Sequence, residues 1–493
     1  MHLGLILDMT ESGLGDRTAI TSEDSALSYR ELAERSWAAS ARLAELEAPS
    51  VVYLGPNHLA FPVALFGAAG IGVPFIPLNY RLGADQLRAQ IAAHPGALVI
   101  HDGTGAELAE PARAIEREEF LASLKGVAAE APLPVDPDLP CLLLYTSGTT
   151  AAPKAAVLRH RHLMAYLLGT VEFASAEETD ASLVCVPPYH IAGVANLLSN
   201  LYAGRRIIYL DRFDPEVWLD TVRREQVTQA MVIPTMLARV VEHLGDAGDA
   251  GTPSLRALSY GGSRMPAPVL ERALDLFSDT GFVNAYGLTE TSSTIALLSP
   301  EDHRAAFSSE DPSVRERLAS AGRLVPGIEL EVRDEAGQPL PAGEAGLIYL
   351  RGEQISGEYE GGNTPESDGW FCTRDRGWVD AEGYLFIEGR ADDTIIRGGE
   401  NIAPAEIEDV LLAHPCILDA VVVGLPDDEW GQRLVAVVVC REGEAVGDEE
   451  LKGWVRDRLR SSKTPETVEF WPELPRTETG KLIRRNVVAQ LEQ

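Results

Sequence analysis

Between Tyr145 and Val157 the chain reads YTSGTTAAPKAAV, a segment that concentrates the groups a phosphate requires. Thr146, Ser147, Thr149 and Thr150 bring hydroxyls, Gly148 permits an unusual backbone turn, and Lys154 adds an ammonium. Hydroxyls and free backbone N–H groups can surround phosphate oxygens while the cation offsets their charge. The segment lacks the G-x-x-x-x-G-K-[ST] spacing of a Walker loop. By residue type alone, a phosphate loop and an ordinary polar turn both fit. Other segments carry reactive types more thinly. Pro187–His190 (PPYH) fits a buried, satisfied histidine, and Tyr286–Glu290 (YGLTE) fits a Tyr-Gly turn with a helix-capping threonine. Gly261–Ser263 alone is a turn, Gly398–Gly399 fits a β-turn, and a lysine as near the C-terminus as Lys481 is ordinarily a solvated charge.

Composition sets the background for these candidates. The 493 residues hold 42 Lys+Arg against 75 Asp+Glu, a net charge of −33. Such a surface repels nucleic-acid backbones and anionic lipid, so neither is an expected partner. It also obliges an anion site to build its own positive potential, which singles out a lysine beside a polar loop. Cys141, Cys185, Cys372, Cys416 and Cys440 are dispersed and lack any CxxC pair, which excludes a zinc or disulfide framework as the expectation. The opening MHLGLILDMTESG has no basic region before its short apolar run and makes a poor signal peptide. His58–Leu78 carries no charge over about the length that crosses a bilayer. Its three prolines and three glycines instead predict a buried helix–strand connection. The chain reads as cytoplasmic.

The elements that must position the candidates follow from periodicity. The first two-thirds alternates short apolar runs with amphipathic stretches, the pattern of parallel strands joined by helices. Strands are predicted at Cys141–Tyr145, Ala230–Ile233, Leu255–Tyr260 and Gly281–Tyr286. Helices carry Leu163–Val171, Met236–Val241 and Val269–Phe277. The polar and glycine loops therefore fall at strand carboxyl ends, where such sheets bind ligands. From about Ile328, alternating apolar residues and Gly/Pro turns predict antiparallel β-structure. The tail after Asp392 reads as a small α+β unit, with a helix near Pro404–Leu412, strands at Ala420–Gly424 and Leu434–Cys440, and a helix near Glu449–Leu459.

Taken in order, the motifs resemble the adenylate-forming (ANL) superfamily, which includes acyl- and aryl-CoA synthetases. The family loop T-S-G-T-T-G-x-P-K-G is matched by Thr146–Ala155, with Ala151 and Ala155 in place of its outer glycines. The resemblance implies that Tyr286 stacks on adenine, and that Thr289 and Glu290 face the phosphates and Mg²⁺. Gly287 lies in the same loop, and Gly261, Gly262 and Ser263 match a segment bordering the acyl and adenine pockets. Asp368–Asp375 (DGWFCTRD) resembles G-W-x-x-T-G-D, so Asp375 would hold the ribose hydroxyls, with Arg374 standing where glycine is usual. Within GRADDTIIRGGENIAPAE, Arg390 would contact the ribose and phosphate region, Asp392 would be a hinge, and Gly398–Glu400 would line a thiol tunnel. Lys481 of PRTETGK would meet the carboxylate and α-phosphate. Pro187–His190 resembles P-x-[FY]-H, where His190 guards the acyl pocket, while Trp430 of DDEWGQ and Arg81 of PLNYRL would contact CoA.

The fold implied is α/β: a large N-terminal adenylation domain over 1–391, β-rich from about 328 to 391, and a small mobile α+β lid over 392–493. The implied reaction turns a carboxylic acid and ATP, with Mg²⁺, into an acyl-AMP, then passes the acyl group to coenzyme A. The stretch IAGVANLL, with Met231–Thr235 and the glycine loops, suggests a hydrophobic acyl, aryl or secondary-metabolite acid. Alternatives are a free-standing ligase that loads a phosphopantetheine carrier protein, and a degenerate paralogue that binds nucleotide or acyl ligand without catalysis. A homodimer is the expected assembly.

Overall fold

A computed structural model describes residues 1–22, 25–103, 106–108, 113–146, 154–362, 368–398, 400–427, 429–477 and 482–492. Two largely parallel sheets dominate the N-terminal part. One has nine strands among the described residues, and its parallel centre aligns Thr18–Ser22, Arg206–Tyr209, Ala181–Val184, Gln229–Val232, Ala257–Gly261 and Gly281–Leu288. The other aligns Arg113–Glu116, Leu98–His101, Val51–Leu54, Phe75–Pro77 and Pro140–Thr146 in parallel, closed by antiparallel Lys154–Arg159. That last strand departs from the sequence reading, which ran from the polar loop directly into a helix. Ala155 to Leu158 are buried and pair with Pro140–Thr146 before the helix His160–Thr170 begins. The alternation of a half-exposed strand is missing because both of its faces are covered.

The uncharged stretch after His58 is a wholly buried helix, Ala60–Gly70, followed by the strand Phe75–Pro77. It packs on the helix Tyr29–Glu45, where Gly67 faces Ala39 with no room for another carbon. Close approach of the two backbones explains the glycine. Among the described residues no helix is long and apolar enough to cross a membrane.

A four-stranded antiparallel sheet follows, ordered Glu329–Arg333, Gly346–Arg351, Phe371–Val379, Leu385–Arg390. It joins the nine-stranded sheet through the bridge Gly322–Leu385 and a shared core of Ile295, Ala296, Ile348, Leu350 and Leu385. Beyond Asp393 come a hairpin (Ile395–Arg397, Glu400–Ile402) and a three-stranded sheet (Ile417–Asp427, Gly431–Cys440, Thr467–Phe470). The helices Pro404–Leu412, Asp448–Arg456 and Arg484–Leu491 accompany them. Their apolar residues form clusters separate from those of the larger part, so the chain folds as a large α/β unit with a small α+β one.

Candidate active site

Four loops leave the carboxyl ends of neighbouring parallel strands in the nine-stranded sheet. Ala181–Val184 leads into the segment ending at His190, and Gln229–Val232 into Ile233–Thr235. Ala257–Gly261 runs into Gly262–Ser263, and Gly281–Leu288 into Thr289–Glu290. Adjacency in the sheet thus gathers segments that are far apart along the chain. Gly261 pairs with Ala285, whose carbonyl would overlap any Cβ at Gly261; Gly262 takes a φ of 87°. Gly287 is likewise closed to a side chain by the Ser293 carbonyl. Glycine at 261 and 287 is therefore a packing demand of these strand ends.

In the second sheet, Phe75–Pro77 and Pro140–Thr146 are neighbours, so the Arg81 segment and the polar loop also leave adjacent strand ends. Thr146 and Lys154 are paired across the strand ladder, with the Thr146 hydroxyl donating to the Lys154 carbonyl at 3.3 Å. Lys154 is exposed. Ser147, Gly148, Thr149 and Thr150 lie outside the described residues, as do Gly399 and Lys481.

The third sheet supplies a carboxylate and a cation from one cross-strand pair. Asp375 and Arg390 are register partners, and Arg390 Nη1 donates to Asp375 Oδ1 at 3.1 Å. From the nine-stranded sheet, the Tyr286 hydroxyl donates to Asp375 Oδ2 at 2.5 Å. Burial, then the charge of Asp375, holds the Tyr286 phenol protonated, well above its ordinary range. Arg390 stays charged despite burial because Asp375 and Glu290 both stabilise its cation. Asp375 is only 6% exposed. Each of its oxygens has a further lone pair, so the carboxylate can still accept hydrogen bonds from a diol.

Glu290 is 8% exposed in the single turn Thr289–Thr291, just past the strand Gly281–Leu288. Its Oε1 accepts a hydrogen bond from the Tyr359 hydroxyl, and its carbonyl accepts from Ser356 N at 2.8 Å. Tyr359 also bridges to Ala156, just beyond the polar loop. Glu290, the root of that loop and the Asp375–Arg390 pair thus meet where three sheets join. Sequence reading did not find Tyr359. It sits 69 residues from Glu290 in the turn-like run ISGEYEGG, and no local pattern marks the contact.

No group of three or more His, Cys, Asp or Glu able to hold a metal occurs among the described residues. A single carboxylate is nevertheless what a magnesium ion needs when phosphates and waters complete its octahedron. Glu290 fits that requirement, whereas a dedicated protein cage does not.

His190 precedes the helix Ile191–Ala203 and lies 4.6 Å, ring to ring, from Tyr189. Tyr189 meets Tyr80 edge-on at 5.6 Å, and Arg81 lies over the Tyr80 ring at 5.3 Å. A row of rings thereby connects His190 with Arg81. On the small unit, Gly398 (φ 57°) donates its N–H to the Trp430 carbonyl at 2.8 Å. Trp430 is 45% exposed, stacked under Arg397 at 4.9 Å. Asp392 sits in the single turn Ala391–Asp393 between the two units. A further link between them escaped sequence reading: Arg264, beside Ser263, pairs with Asp409 of the helix Pro404–Leu412.

Residues 8–360 match the family described as AMP-binding enzyme, and 406–481 match the AMP-binding enzyme C-terminal domain. The chain is 36% identical to a feruloyl-CoA synthase from Amycolatopsis sp, over 95% of both chains. It is 34% identical to a fatty acid–[acyl-carrier-protein] ligase from Streptomyces coeruleorubidus, over 95% of this chain and 92% of the other. The o-succinylbenzoate-CoA synthetase of Bacillus subtilis, solved with ATP and magnesium, superposes with a TM-score of 0.85 at 28% identity, covering 99% of each chain.

Proposed function

This chain belongs to the AMP-binding enzyme family as an ATP-dependent acid–thiol ligase, and from that premise we propose an aryl or other hydrophobic carboxylic acid as its substrate. In the first half-reaction a carboxylate oxygen attacks the α-phosphorus of Mg·ATP. The bond from that phosphorus to the bridging oxygen breaks, and pyrophosphate leaves. In the second, the sulfur of coenzyme A attacks the acyl carbon, the acyl–phosphate bond breaks, and AMP leaves as the thiol loses its proton.

The observation that carries the adenylation chemistry is the meeting of Glu290, the Thr146–Lys154 loop root and the Asp375–Arg390 pair at one junction of sheets, while the feruloyl-CoA synthase among the relatives supports the acid class. In the assignment proposed, Asp375 accepts the ribose hydroxyls while Tyr286 and Arg390 hold its carboxylate in place. Glu290 would hold Mg²⁺ beside the phosphates, and the backbone of Gly261–Ser263, Gly287 and Thr289 would border the nucleotide. The loop hydroxyls of Thr146, Ser147, Thr149 and Thr150, with Gly148 and Lys154, surround the β- and γ-phosphates. Lys481 meets the approaching carboxylate and α-phosphate, where a cation lowers the barrier most. His190 closes the acyl pocket, and Gly398, Gly399, Trp430 and Arg81 receive the thiol arm and its nucleotide.

The proposed division is a large domain over 1–391 and a lid over 392–493 that turns at Asp392. A cytoplasmic homodimer completes the reading. The carrier-protein ligase among its relatives supports a second acceptor, a phosphopantetheine thiol on a protein. An acid panel decides both points. Pyrophosphate release is expected with aryl acids such as ferulate, followed by a mass-identified CoA thioester. Transfer to a carrier protein but not to CoA would select the second acceptor, and silence across the panel would overturn the acid class.

A further inference from the structure

Glu290 is gripped twice by one segment of chain. Its carbonyl accepts from Ser356 N at 2.8 Å and Gly357 N at 3.3 Å, and its carboxylate accepts from the Tyr359 hydroxyl. The same segment is locked to the strand that leaves the polar loop. Val157 N donates to the Glu358 carbonyl at 2.9 Å, and Glu360 N to the Ala155 carbonyl at 2.8 Å. The Ser356 hydroxyl donates to the Val157 carbonyl, and Arg159 donates from Nε (3.0 Å) and Nη2 (2.8 Å) to the Glu358 carboxylate. A free glutamate samples several rotamers, so a carboxylate that must share a metal with phosphates needs an external restraint.

We propose that Tyr359 is a positioning residue that ties the Glu290 carboxylate to the phosphate-loop strand, fixing it for Mg·ATP. The hydroxyl engages Oε1, which restrains rotation of the carboxylate and would leave Oε2 available to Mg²⁺. Because Tyr359 rides on Lys154–Arg159, metal-side and phosphate-side groups keep one spacing. This inference rests on the assignment of Glu290 to magnesium and adds a residue that no motif of the sequence singled out.

The test compares Tyr359→Phe and Glu290→Gln with the native enzyme. The readouts are the Mg²⁺ concentration for half-maximal acid-dependent pyrophosphate exchange and calorimetric binding of ATP with and without Mg²⁺. Tyr359→Phe keeps the ring, and its melting temperature should match the native protein. Expected is about a tenfold rise in the Mg²⁺ requirement, weaker Mg·ATP binding and unchanged metal-free ATP binding. Thioester formation from supplied acyl-AMP should proceed normally. An altered Mg²⁺ response in Glu290→Gln with a normal one in Tyr359→Phe would overturn the tether alone. A normal response in both would overturn the metal assignment and the tether with it. Equal weakening of metal-free ATP binding in Tyr359→Phe would reduce Tyr359 to packing and overturn the proposal.

Discussion

At position 374 the resembled motif carries glycine, and the structure gives the physical content of that departure. Arg374 has a φ of 60°, a left-handed conformation in which a Cβ crowds the backbone. Glycine would adopt it freely. Burial and the Glu290 carboxylate push the Tyr359 phenol up, and the charge of the exposed Arg374 guanidinium weakly opposes that rise. Arginine therefore trades backbone comfort for a cation at the site's edge. Arg374→Gly should raise unfolding free energy by about 1 kcal/mol, read from denaturant midpoints, whereas Arg374→Ala, which keeps the Cβ, should leave it nearly unchanged. Asp375, one residue on, needs no such strain, because its partner Arg390 is fixed by strand register.

Elements, rather than residues, set the contact between the two units. The Ser263–Arg264 turn reaches the helix Pro404–Leu412, where Arg264 meets Asp409. Burial raises the Asp409 carboxyl to about 6, Glu408 and Glu406 add to the rise, and Arg264 opposes it. The folded value exceeds the ordinary 3.8, so this group's contribution to folding is complete below that pH and is lost as pH rises through about 6. The ion pair runs the other way: it exists above pH 6 and fades as Asp409 takes up its proton. Both side chains are partly exposed, which limits the pair to about 0.5 kcal/mol, or roughly a twofold change in population. A fluorescence distance pair spanning the two units should therefore report about twice as much separated form below pH 6. In Asp409→Asn that response should be flat across the same range. Equal pH responses in the two proteins would remove the contact from any part in the proposed movement of the small unit.

Across the whole molecule, the proposed chemistry divides between a large unit that binds nucleotide and acid and a small one that serves each half-reaction in turn. Lys481 closes the stretch 406–481 that matches the C-terminal family domain and lies outside the described residues; its role is tested by separating the half-reactions. Lys481→Ala should abolish acyl-AMP formation by two orders of magnitude or more (about 3 kcal/mol) while sparing thioester formation from supplied acyl-AMP. Equal loss of both steps would count against the assignment. The net charge of −33 gives the same division an electrostatic setting. In so acidic a protein, Lys154, Arg390 and Lys481 stand out as the cations assigned to the polyanionic substrate.

Local order was readable without coordinates. The strand before the polar loop, the proline-led helix Ala267–Leu276, the antiparallel stretch after Ile328 and the helix Pro404–Leu412 all follow from periodicity and turn chemistry, which act over a few neighbouring residues. The ordered motifs likewise carried the family and its reaction. Lys154–Arg159 escaped as a strand because a segment covered on both faces loses the alternation that would reveal it. Tyr359 on Glu290, Tyr286 on Asp375 and Arg264 on Asp409 were beyond reach for a different reason. Each joins residues whose separation along the chain has no period, and only the packing of three sheets and a small outer unit brings those side chains within hydrogen-bonding distance.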